Sequence, residues 1–437
     1  MNIFYLFYRV LTLVLVSLAF FPFLIFALIT GRYRKHIPER LGFIPGDIPL
    51  KLENTPRIWI HGVSLGEIKV ANSIIRSLEE QIPGCSIILS TTTEHGRDLA
   101  NELLGDRIPV IYSPVDLFFA VKKALRNINP DILIFLETEI WPSWVIEARR
   151  AGVRIALLNG RISNRSIKSY MRFKSFFKTI LSNFDTLSMI SEEDQRHIRL
   201  IGAEPEKAVV NGNAKYDMLI SQTAPGTNEA VRKKLQADPD VPVIVAGSIR
   251  TGEEALLLES FIKITDHFPD SLLIIAPRHL DRVKDIVQLL QNKKQGYHLW
   301  NELDSVDFKR TNSIIIIDCY GELFNVYSSA DIAFCGASLV PLGGQNPLEP
   351  AAWGTPVFHG PYMDDFLDAV NLLEKYDANI LVKGSDDFAE KAVYYLSNPD
   401  LLKEKGVNGK NALMQSHNAS KKHAAVIAGL INKINNG

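Results

Sequence analysis

The chain is poor in cysteine and has almost no excess of either charge. It contains three cysteines in 437 residues, Cys85, Cys319 and Cys335, and their spacing matches no metal-binding pattern. All three lie in or beside apolar runs typical of strands, so we predict buried, reduced thiols, as in a cytoplasmic protein. The formal net charge of −1 argues against a nucleic-acid-binding surface that extends over the whole chain.

Two common nucleotide-binding motifs are also absent. The sequence has no G-x-G-x-x-G fingerprint, so a nicotinamide or flavin site of the dinucleotide-binding type has little support. Gly247 and Gly252 have the outer spacing of a P-loop, but Glu253 stands where that motif requires lysine. A P-loop is therefore rejected.

A third absence is that of charge near the N-terminus. No charged residue occurs from Val10 to Thr30, and a run of this length can cross the roughly 30 Å core of a bilayer. The flanking charges are mainly basic and follow the run, which by the positive-inside rule places its C-terminal side in the cytoplasm. A cleaved signal peptide would carry its positive charge first. We expect residues 1–31 to form an uncleaved membrane anchor; a helix that lies within one leaflet is the alternative.

After residue 31, short apolar runs alternate with amphipathic stretches. Near-continuous apolar runs are typical of parallel strands buried on both faces, and their alternation with helices predicts an α/β fold of two doubly wound, Rossmann-like domains. Turn-rich sequence around Pro225-Gly226 and Asp238–Asp240 places the boundary between domains 32–220 and 221–437. Two such domains predict a ligand-binding cleft between the carboxyl ends of their sheets. The predicted strands are 57–61, 86–90, 109–112, 131–136, 154–158 and 186–190, then 243–246, 271–276, 313–318, 331–335 and 355–358.

Three polar blocks follow strands of the first predicted domain. Ser64 and Glu67 have the spacing of a helix capping box, so Glu67 either closes a helix or acts as a general base, with a pKa that a helix start should lower. The block Glu137–Pro142 holds two acids and a tryptophan, and salt bridges between domains are the alternative to a catalytic use. Lys215 either neutralises an anionic substrate group or is a solvated turn lysine. Sequence physics alone leaves these alternatives open.

The second predicted domain carries an equivalent set of blocks. Arg278 follows a strand and can bind phosphate through two hydrogen bonds. Gly343–Glu349 reads as a glycine loop that enters a helix at Asn346 and Pro347, where glycines and free N–H groups would admit a phosphate. Glu349 would reach ribose hydroxyls or complete a capping box. Together with Tyr320–Glu322, these residues predict a nucleotide-sugar pocket.

The stretch from Arg149 to Lys178 is basic and aromatic. It carries nine arginine and lysine residues without an acid, interleaved with Tyr170, Phe173, Phe176 and Phe177. Such runs are usually solvated, and RNA binding is conceivable. Beside an N-terminal anchor, however, the pattern favours contact with anionic lipid or with a phosphorylated lipid.

Taken in order, these blocks resemble the Kdo transferases of Gram-negative bacteria, which transfer 3-deoxy-D-manno-octulosonic acid (Kdo) from CMP-Kdo to the lipid A precursor. The matching blocks are H-G-V-S-L-G-E, L-E-T-E-I-W-P, N-G-R-I-S, G-N-A-K-Y-D, G-E-E, A-P-R-H, G-E-L and G-G-Q-N-P-L-E. They run from Arg32 to about Asp365. Differences from the family pattern occur at Ser90–Gly96, Ser248–Arg250 and Gln345, and they bear on acceptor details and on the number of transfers rather than on the reaction.

The resemblance implies a GT-B fold, an inverting transfer to lipid IVA in lipopolysaccharide core biosynthesis, no cofactor and no catalytic metal. It also implies a protein at the cytoplasmic face of the inner membrane whose partners are CMP-Kdo, the lipid A precursor and the membrane, with no nucleic acid. By position, Glu67 would be the base, and Glu137 and Lys215 would stabilise the transition state. The CMP pocket would be lined by Pro277, Arg278, Tyr320, Gly321, Glu322, Asn346, Pro347, Leu348 and Glu349.

Three other functions remain open at this point. A GT-B transferase that uses a UDP-sugar and a lipid acceptor is the nearest, followed by a GT-B nucleotide-sugar epimerase. The third is a lipid-binding scaffold without catalysis.

Overall fold

The computed structural model describes residues 3–30, 36–162, 164–415 and 418–435. The chain divides into two compact units, of which unit 1 comprises Met1–Met218 with His417–Gly437 and unit 2 comprises Leu219–Ser416. The ends of the predicted anchor, together with Arg32, Arg34 and Lys35, lie outside the described residues.

Unit 1 contains a seven-stranded parallel sheet with helices on its faces. Its strands follow the order β3-β2-β1-β4-β5-β6-β7. Apolar side chains of the sheet form one core on each face, and Trp59 and Ile60 on β1 belong to opposite cores. Two-sided burial explains why these strands are continuous apolar runs. The strands are β1 (Arg57–His61), β2 (Ser86–Thr91), β3 (Val110–Tyr112), β4 (Ile132–Leu136), β5 (Arg154–Gly160), β6 (Thr186–Met189) and β7 (Ala208–Val210).

Apart from the last helix of the chain, which is described below, the helices of unit 1 precede, connect or follow these strands. They are α1 (Ile3–Thr30), α2 (Ile37–Arg40), α3 (Asp47–Leu50), α4 (Leu65–Gln81), α5 (Glu94–Leu104), α6 (Phe118–Ile128), α7 (Pro142–Arg150), α8 (Asn164–Arg172), α9 (Lys174–Leu181), α10 (Glu192–Leu200) and α11 (Ala214–Ser221), whose last residues belong to unit 2.

Unit 2 repeats this architecture with a second seven-stranded parallel sheet. The strand order is β10-β11-β9-β8-β12-β13-β14. The strands are β8 (Val243–Ile249), β9 (Leu272–Pro277), β10 (Tyr297–Leu299), β11 (Ile314–Ile316), β12 (Ile332–Cys335), β13 (Val357–His359) and β14 (Asn379–Leu381). The helices are α12 (Thr227–Leu235), α13 (Glu253–Thr265), α14 (Val283–Asn292), α15 (Leu323–Val326), α16 (Leu348–Trp353), α17 (Leu367–Lys375), α18 (Ser385–Leu396) and α19 (Pro399–Gln415).

The prediction of two parallel α/β domains is confirmed, but the sequence reading of the C-terminus was wrong. The last helix, α20 (Ala419–Asn435), packs on unit 1 instead of completing a domain 221–437. Ala424, Ile427 and Ile431 lie in the same core as residues of α4, and the hydroxyls of Ser73 and Ser420 are 2.8 Å apart. The apolar face of α20 is therefore buried in unit 1, and the C-terminus of the chain belongs to that unit.

The first residues of the N-terminal helix α1 contact the rest of unit 1. The hydroxyl of Tyr5 donates to Glu147 at 3.1 Å, and that of Tyr8 donates to Asp116 at 2.5 Å. The guanidinium carbon of Arg9 lies 3.7 Å from the ring centre of Phe118. Among the residues that the structure describes, no helix is both long enough and apolar enough to cross a membrane. The anchor stays a prediction.

Candidate active site

Glu67 lies at the start of α4, which follows the interior strand β1 of unit 1. Its Oε2 accepts a hydrogen bond from the N–H of Val63 at 2.8 Å, and its Oε1 accepts one from the hydroxyl of Ser64 at 2.8 Å. The hydroxyl oxygen of Ser64 accepts in turn from the N–H of Glu67 at 3.2 Å, which completes the predicted capping box. Capping thus fixes the carboxylate at the carboxyl end of a buried strand.

The pKa of Glu67 is raised, contrary to the lowering expected for a helix start. Burial is the largest cause, since the residue is 7% exposed. The hydrogen bonds from Val63 and Ser64 act in the opposite direction, and the negative charge of Glu137 raises the pKa further. Desolvation and a like charge therefore outweigh the helix terminus. A raised pKa makes this carboxylate a stronger base.

Lys215 and Glu137 meet beside the start of α4. Nζ of Lys215 lies 2.7 Å from Oε1 of Glu137. A methyl group placed on Gly66 would lie 3.9 Å from Nζ, so the ammonium group is next to the first turn of α4, which carries Glu67. Glu137 has a φ of 55°, a left-handed conformation that glutamate rarely adopts. Such strain concentrates at functional sites. The three residues predicted to be catalytic are thus brought together in unit 1.

Glu139 is a fourth charged residue of this cluster that the sequence reading left without a role. The indole N–H of Trp141 donates to its Oε2 at 2.5 Å. Burial raises its pKa first, and the charges of Glu67 and Glu137 raise it further. The sequence did offer a signal for Glu139: it stands two residues after Glu137 on the short loop that follows β4. Two acids so close in sequence must lie near the same strand end. The alternative of salt bridges between domains is wrong for Glu137, whose partner Lys215 belongs to unit 1.

His61 opens the first sequence block but is enclosed in the core. It is fully buried, and its Nδ1 lies 3.0 Å from the hydroxyl of Ser90. Its ring packs at 4.8 Å from that of Trp144, and desolvation lowers its pKa to about 4. His61 is therefore neutral at pH 7 and packs at the end of β1, four residues before the start of α4.

A hydrogen-bond network positions the loop before Lys215. The N–H of Ala214 donates to the side chain of Asn159 at 2.8 Å. His423 on α20 lies 3.1 Å from the carbonyl oxygen of Gly212 through Nε2 and 2.8 Å from the hydroxyl of Ser188 through Nδ1. Because a carbonyl only accepts, Nε2 carries the proton and Nδ1 accepts from Ser188. Burial lowers the pKa of His423 to about 4, which keeps this tautomer neutral.

In unit 2, the predicted nucleotide-binding residues lie at the carboxyl ends of neighbouring strands. Pro277 ends β9, and the N–H of Arg278 donates to the carbonyl oxygen of Ile249 at the end of β8. The guanidinium of Arg278 is exposed and has no side-chain partner among the described residues. Tyr320 is 74% exposed and is followed by Gly321, whose φ of 96° produces the turn into Glu322 and α15. The residues occupy the place where doubly wound sheets bind ligands.

The block Gly343–Glu349 forms the predicted loop and helix start, but its glycines are needed for a different reason than the predicted approach of a phosphate. A Cβ on Gly343 would meet Asp365 at 2.3 Å, and one on Gly344 would meet Met363 at 2.4 Å. Both glycines have a positive φ, so they serve the turn and its packing rather than an approaching phosphate.

The helix that follows this loop is shorter than an anion-binding helix should be. The side chain of Asn346 accepts from the N–H of Leu348 at 3.2 Å and donates to Oε1 of Glu349 at 3.4 Å, while Pro347 is the capping residue. With six residues, α16 has a small dipole, so anion binding here depends on N–H groups and on Arg278.

The basic stretch from residue 149 to 178 is not one helix. It comprises the end of α7, strand β5 and the helices α8 and α9. Arg154 and Arg149 lie 2.8 and 3.5 Å from Asp185, and Arg150 pairs with Glu147. Part of this charge is therefore neutralised within unit 1.

In the described part of the chain, no histidine, cysteine, aspartate or glutamate group suits a metal ion.

Solved structures with the same architecture have distant sequences. A glycosyltransferase from Rickettsia africae matches with a TM-score of 0.59 at 19% identity, over 87% of this chain and 99% of that one. The UDP-GlcNAc 2-epimerase of Neisseria meningitidis, bound to UDP-GlcNAc, matches with a TM-score of 0.60 at 14% identity, over 86% and 99%. At these identities the likeness concerns the fold alone, which is consistent with GT-B.

Sequence comparison identifies the family. A family model described as 3-deoxy-D-manno-octulosonic-acid transferase (kdotransferase) matches residues 35–218. The 3-deoxy-D-manno-octulosonic acid transferase of Haemophilus influenzae is 30% identical over 396 residues, 89% of this chain and 90% of that protein. The enzyme of that name from Chlamydia trachomatis serovar D is 31% identical over 343 residues, 76% of each chain. The chain therefore belongs to the 3-deoxy-D-manno-octulosonic acid (Kdo) transferases, a family of glycosyltransferases.

Proposed function

We propose that the protein transfers Kdo from CMP-Kdo to the lipid A precursor lipid IVA, with inversion, in lipopolysaccharide core biosynthesis. The observation that carries the proposal is the cluster of Glu67, Glu137 and Lys215 in unit 1 of a Kdo transferase. The donor CMP-Kdo and the acceptor lipid IVA are the parts of this proposal that go beyond family membership.

In the proposed reaction, Glu67 is the general base. Its Oε1 accepts from both the hydroxyl and the N–H of Ser64, whereas its Oε2 accepts from the N–H of Val63 and has a further lone pair for an acceptor hydroxyl. The proton moves from this hydroxyl to the carboxylate as its oxygen forms a bond to the anomeric carbon of Kdo. The bond from that carbon to the phosphate oxygen breaks, and CMP leaves with the electron pair. The raised pKa favours the proton transfer.

Glu137 and Lys215 would stabilise the charges that develop in this step. The sugar carbon becomes electron-poor as CMP departs, which a fixed carboxylate favours, and the departing phosphate gains negative charge, which an ammonium group favours. Because the two side chains form an ion pair with each other, they are oriented before substrate binds. Preorganised charges of this kind cost little reorganisation in the transition state.

Unit 2 would bind the CMP part of the donor. The exposed guanidinium of Arg278 is suited to the phosphate, and the exposed ring of Tyr320 offers an apolar surface to the base or the ribose. Pro277, Gly321, Glu322 and the loop Asn346–Glu349 would complete the pocket, with Glu349 assigned to the nucleotide rather than to acid–base work.

The membrane is the proposed location, at the cytoplasmic face of the inner membrane. The support is the uncharged run from Val10 to Thr30 and the exposure of large apolar side chains on α1, among them Phe7 at 67%, Val10 at 57% and Leu18 at 69%. A lipid acceptor also requires the enzyme to work at a bilayer. Flotation of vesicles with the wild type and with a Phe7→Ser, Val10→Ser, Leu18→Ser variant tests this. Equal flotation of the two would contradict a role of these side chains.

The test of the reaction is an assay with detergent-solubilised protein, CMP-Kdo and lipid IVA. We expect release of CMP and an acceptor whose mass has increased by Kdo, and neither with Glu67→Gln. If the protein turned over a UDP-sugar but not CMP-Kdo, the UDP-sugar transferase would replace this proposal. Conversion of a free nucleotide sugar without an acceptor would replace it with the epimerase.

A further inference from the structure

Arg250 lies between the two walls of the proposed donor site. It follows β8, which pairs with β9 on one side and with β12 on the other. Arg278 follows β9, and the loop that leads to Asn346–Glu349 follows β12. Since the carboxyl ends of parallel strands meet at one edge of the sheet, the side chain of Arg250 starts between these two groups of residues.

Glu253 fixes the backbone at Arg250. Its carboxylate is fully buried and accepts from the N–H groups of Arg250 at 2.9 Å, Ala337 at 2.6 Å, Ser338 at 2.9 Å and Leu339 at 3.0 Å. All four partners are donors, so the ionised carboxylate satisfies them and a protonated one would not. The ends of β8 and β12 are thereby tied together.

The backbone beside this carboxylate is strained. Ser248 and Ala337 have φ angles of 54° and 59°, which non-glycine residues rarely adopt. Backbone strain of this kind persists where the surroundings hold it and is concentrated at ligand sites. Glu254 is also engaged, since it accepts from the N–H of Gly252 and pairs with Arg282 at 2.7 Å. Neither acid of the G-E-E block is thus available to compensate Arg250.

The charge of Arg250 is uncompensated in the described part of unit 2. Its Nη1 lies 3.2 Å from Nε2 of His279, and no carboxylate lies within ion-pair distance of it among the described residues. Because arginine only donates, Nε2 of His279 is the acceptor in this contact. The guanidinium groups of Arg250 and Arg278 therefore follow adjacent strands without an acidic partner.

We propose that Arg250 binds an anionic group of the donor beside Arg278. The inference rests on the proposed donor, because a CMP-activated sugar acid carries two anions, its phosphate and its carboxylate. Two planar guanidinium groups match two such anions, each through paired N–H donors. Glu253 is a positioning residue that acts through the backbone of Arg250. His279 accepts a hydrogen bond from Arg250 and brings no negative charge to it.

The test compares Arg250→Gln and Arg250→Lys with the wild type. Binding of CMP is measured by calorimetry, and kcat and KM for CMP-Kdo are measured at a saturating acceptor concentration. We expect Arg250→Gln to raise the KM for CMP-Kdo about tenfold or more, as for the loss of a hydrogen bond to a charged group. Arg250→Lys should recover part of this loss. Lys263→Gln, which removes a positive charge from an exposed ion pair on α13, is the matched control.

The outcomes separate the two anions and the two proposals. Weaker binding of CMP as well as CMP-Kdo by Arg250→Gln assigns Arg250 to the phosphate, whereas a change for CMP-Kdo alone assigns it to the sugar carboxylate. Unchanged values for both ligands, or an equal change in Lys263→Gln, would overturn the role of Arg250 and leave the proposed function intact. A wild type that binds neither ligand would overturn the proposed donor itself.

Discussion

Nζ of Lys215 lies 2.7 Å from Oε1 of Glu137, and this ion pair joins the loop after β4 to the start of α11. Glu67 and Glu139 lie close enough to Glu137 for its charge to raise their pKa. Three carboxylates thus lie close together, and one of them is paired with an ammonium group. In the proposed reaction, the same arrangement supplies a base of raised pKa and a fixed pair of opposite charges.

Replacement of Lys215 by methionine should lower kcat by about 10²–10³-fold, the typical loss when one preorganised stabilising group is removed. The ion pair is partly exposed, so its contribution to stability is roughly 1 kcal/mol or less. Thermal unfolding should therefore change little while turnover falls. Lys69→Met, at an exposed position of α4, serves as the control. Equal kcat values for the two variants would show that Lys215 is only a solvated lysine.

Replacement of Glu67 by glutamine separates capping from catalysis. Glutamine can complete a capping box, so Glu67→Gln should fold normally and bind CMP, while turnover is lost. Ser64→Ala has the opposite profile. It removes the cap and should lower the free energy of unfolding by about 1 kcal/mol while turnover persists. Chemical denaturation and the CMP-release assay measure both quantities. Substantial turnover by Glu67→Gln would return Glu67 to a purely structural role.

The pH dependence of kcat should report the ionisation of Glu67. A general base acts when deprotonated, so kcat should rise with pH, and the midpoint should lie above the ordinary pKa of 4.5 because burial raises the pKa. Glu137→Gln removes a neighbouring negative charge that raises the same pKa, so the midpoint should move to lower pH even though kcat falls. A midpoint that stays in place would assign the pH dependence to another group.

The central strands could be predicted from sequence because two-sided burial makes each one an apolar run. β1 has the predicted bounds, β4 begins one residue later than predicted, and β8 ends three residues later than predicted. The strands that were missed, β7, β10 and β14, have three residues each and lie at sheet edges. At an edge, burial is partial and the hydrophobic signal is weak. The return of α20 to unit 1 was also missed, because a helix period shows that a face is buried but not against which partner.

The sequence predicted which residues of unit 1 lie at the candidate site, but some of their physical properties differ from the prediction. Glu67, Glu137 and Lys215 come together, but the direction of the Glu67 pKa could not be read from the sequence because burial decides it. The glycines of Gly343–Glu349 suggested contact with phosphate, whereas Asp365 and Met363 occupy the space beside them. Local spacing predicts the shape of a loop; what fills the space beside it depends on residues that are distant in sequence.

Replacement of His423 by phenylalanine should destabilise unit 1 and slow catalysis. The variant leaves the carbonyl of Gly212 without the donor on His423 and the hydroxyl of Ser188, which still accepts from Asn211, without an acceptor for its proton. These losses cost about 2–4 kcal/mol of unfolding free energy. The same loss loosens the loop before Lys215, so kcat should fall in the folded fraction as well. His423→Gln keeps an N–H donor and should recover part of both. Denaturant unfolding and kcat measured on folded protein test this, and wild-type stability of His423→Phe would contradict the network.

Asp116 should make stability depend on pH between about 4 and 7. Its carboxylate accepts from the N–H groups of Ser143 at 2.9 Å and Trp144 at 3.2 Å and from the hydroxyl of Tyr8, yet burial raises its pKa from 3.8 to about 6. Within this window the folded state binds more protons than the unfolded state, so the free energy of unfolding falls as pH rises. The wild type should therefore lose up to about 3 kcal/mol relative to Asp116→Asn as the pH increases from 4 to 7.

Tyr8 controls where this window lies. Its hydrogen bond favours the ionised form of Asp116 and so lowers the pKa of that carboxyl. Tyr8→Phe removes the bond, and the pH-dependent loss of stability should then extend to higher pH. Urea unfolding of the wild type, Tyr8→Phe, Asp116→Asn and the double variant at several pH values measures the effect. Since the double variant has no ionisable group at this position, it should show the pH dependence of Asp116→Asn alone. A shift that persists in the double variant would place the titrating group elsewhere and leave the contact between α1 and Asp116 as a hydrogen bond without linkage to pH.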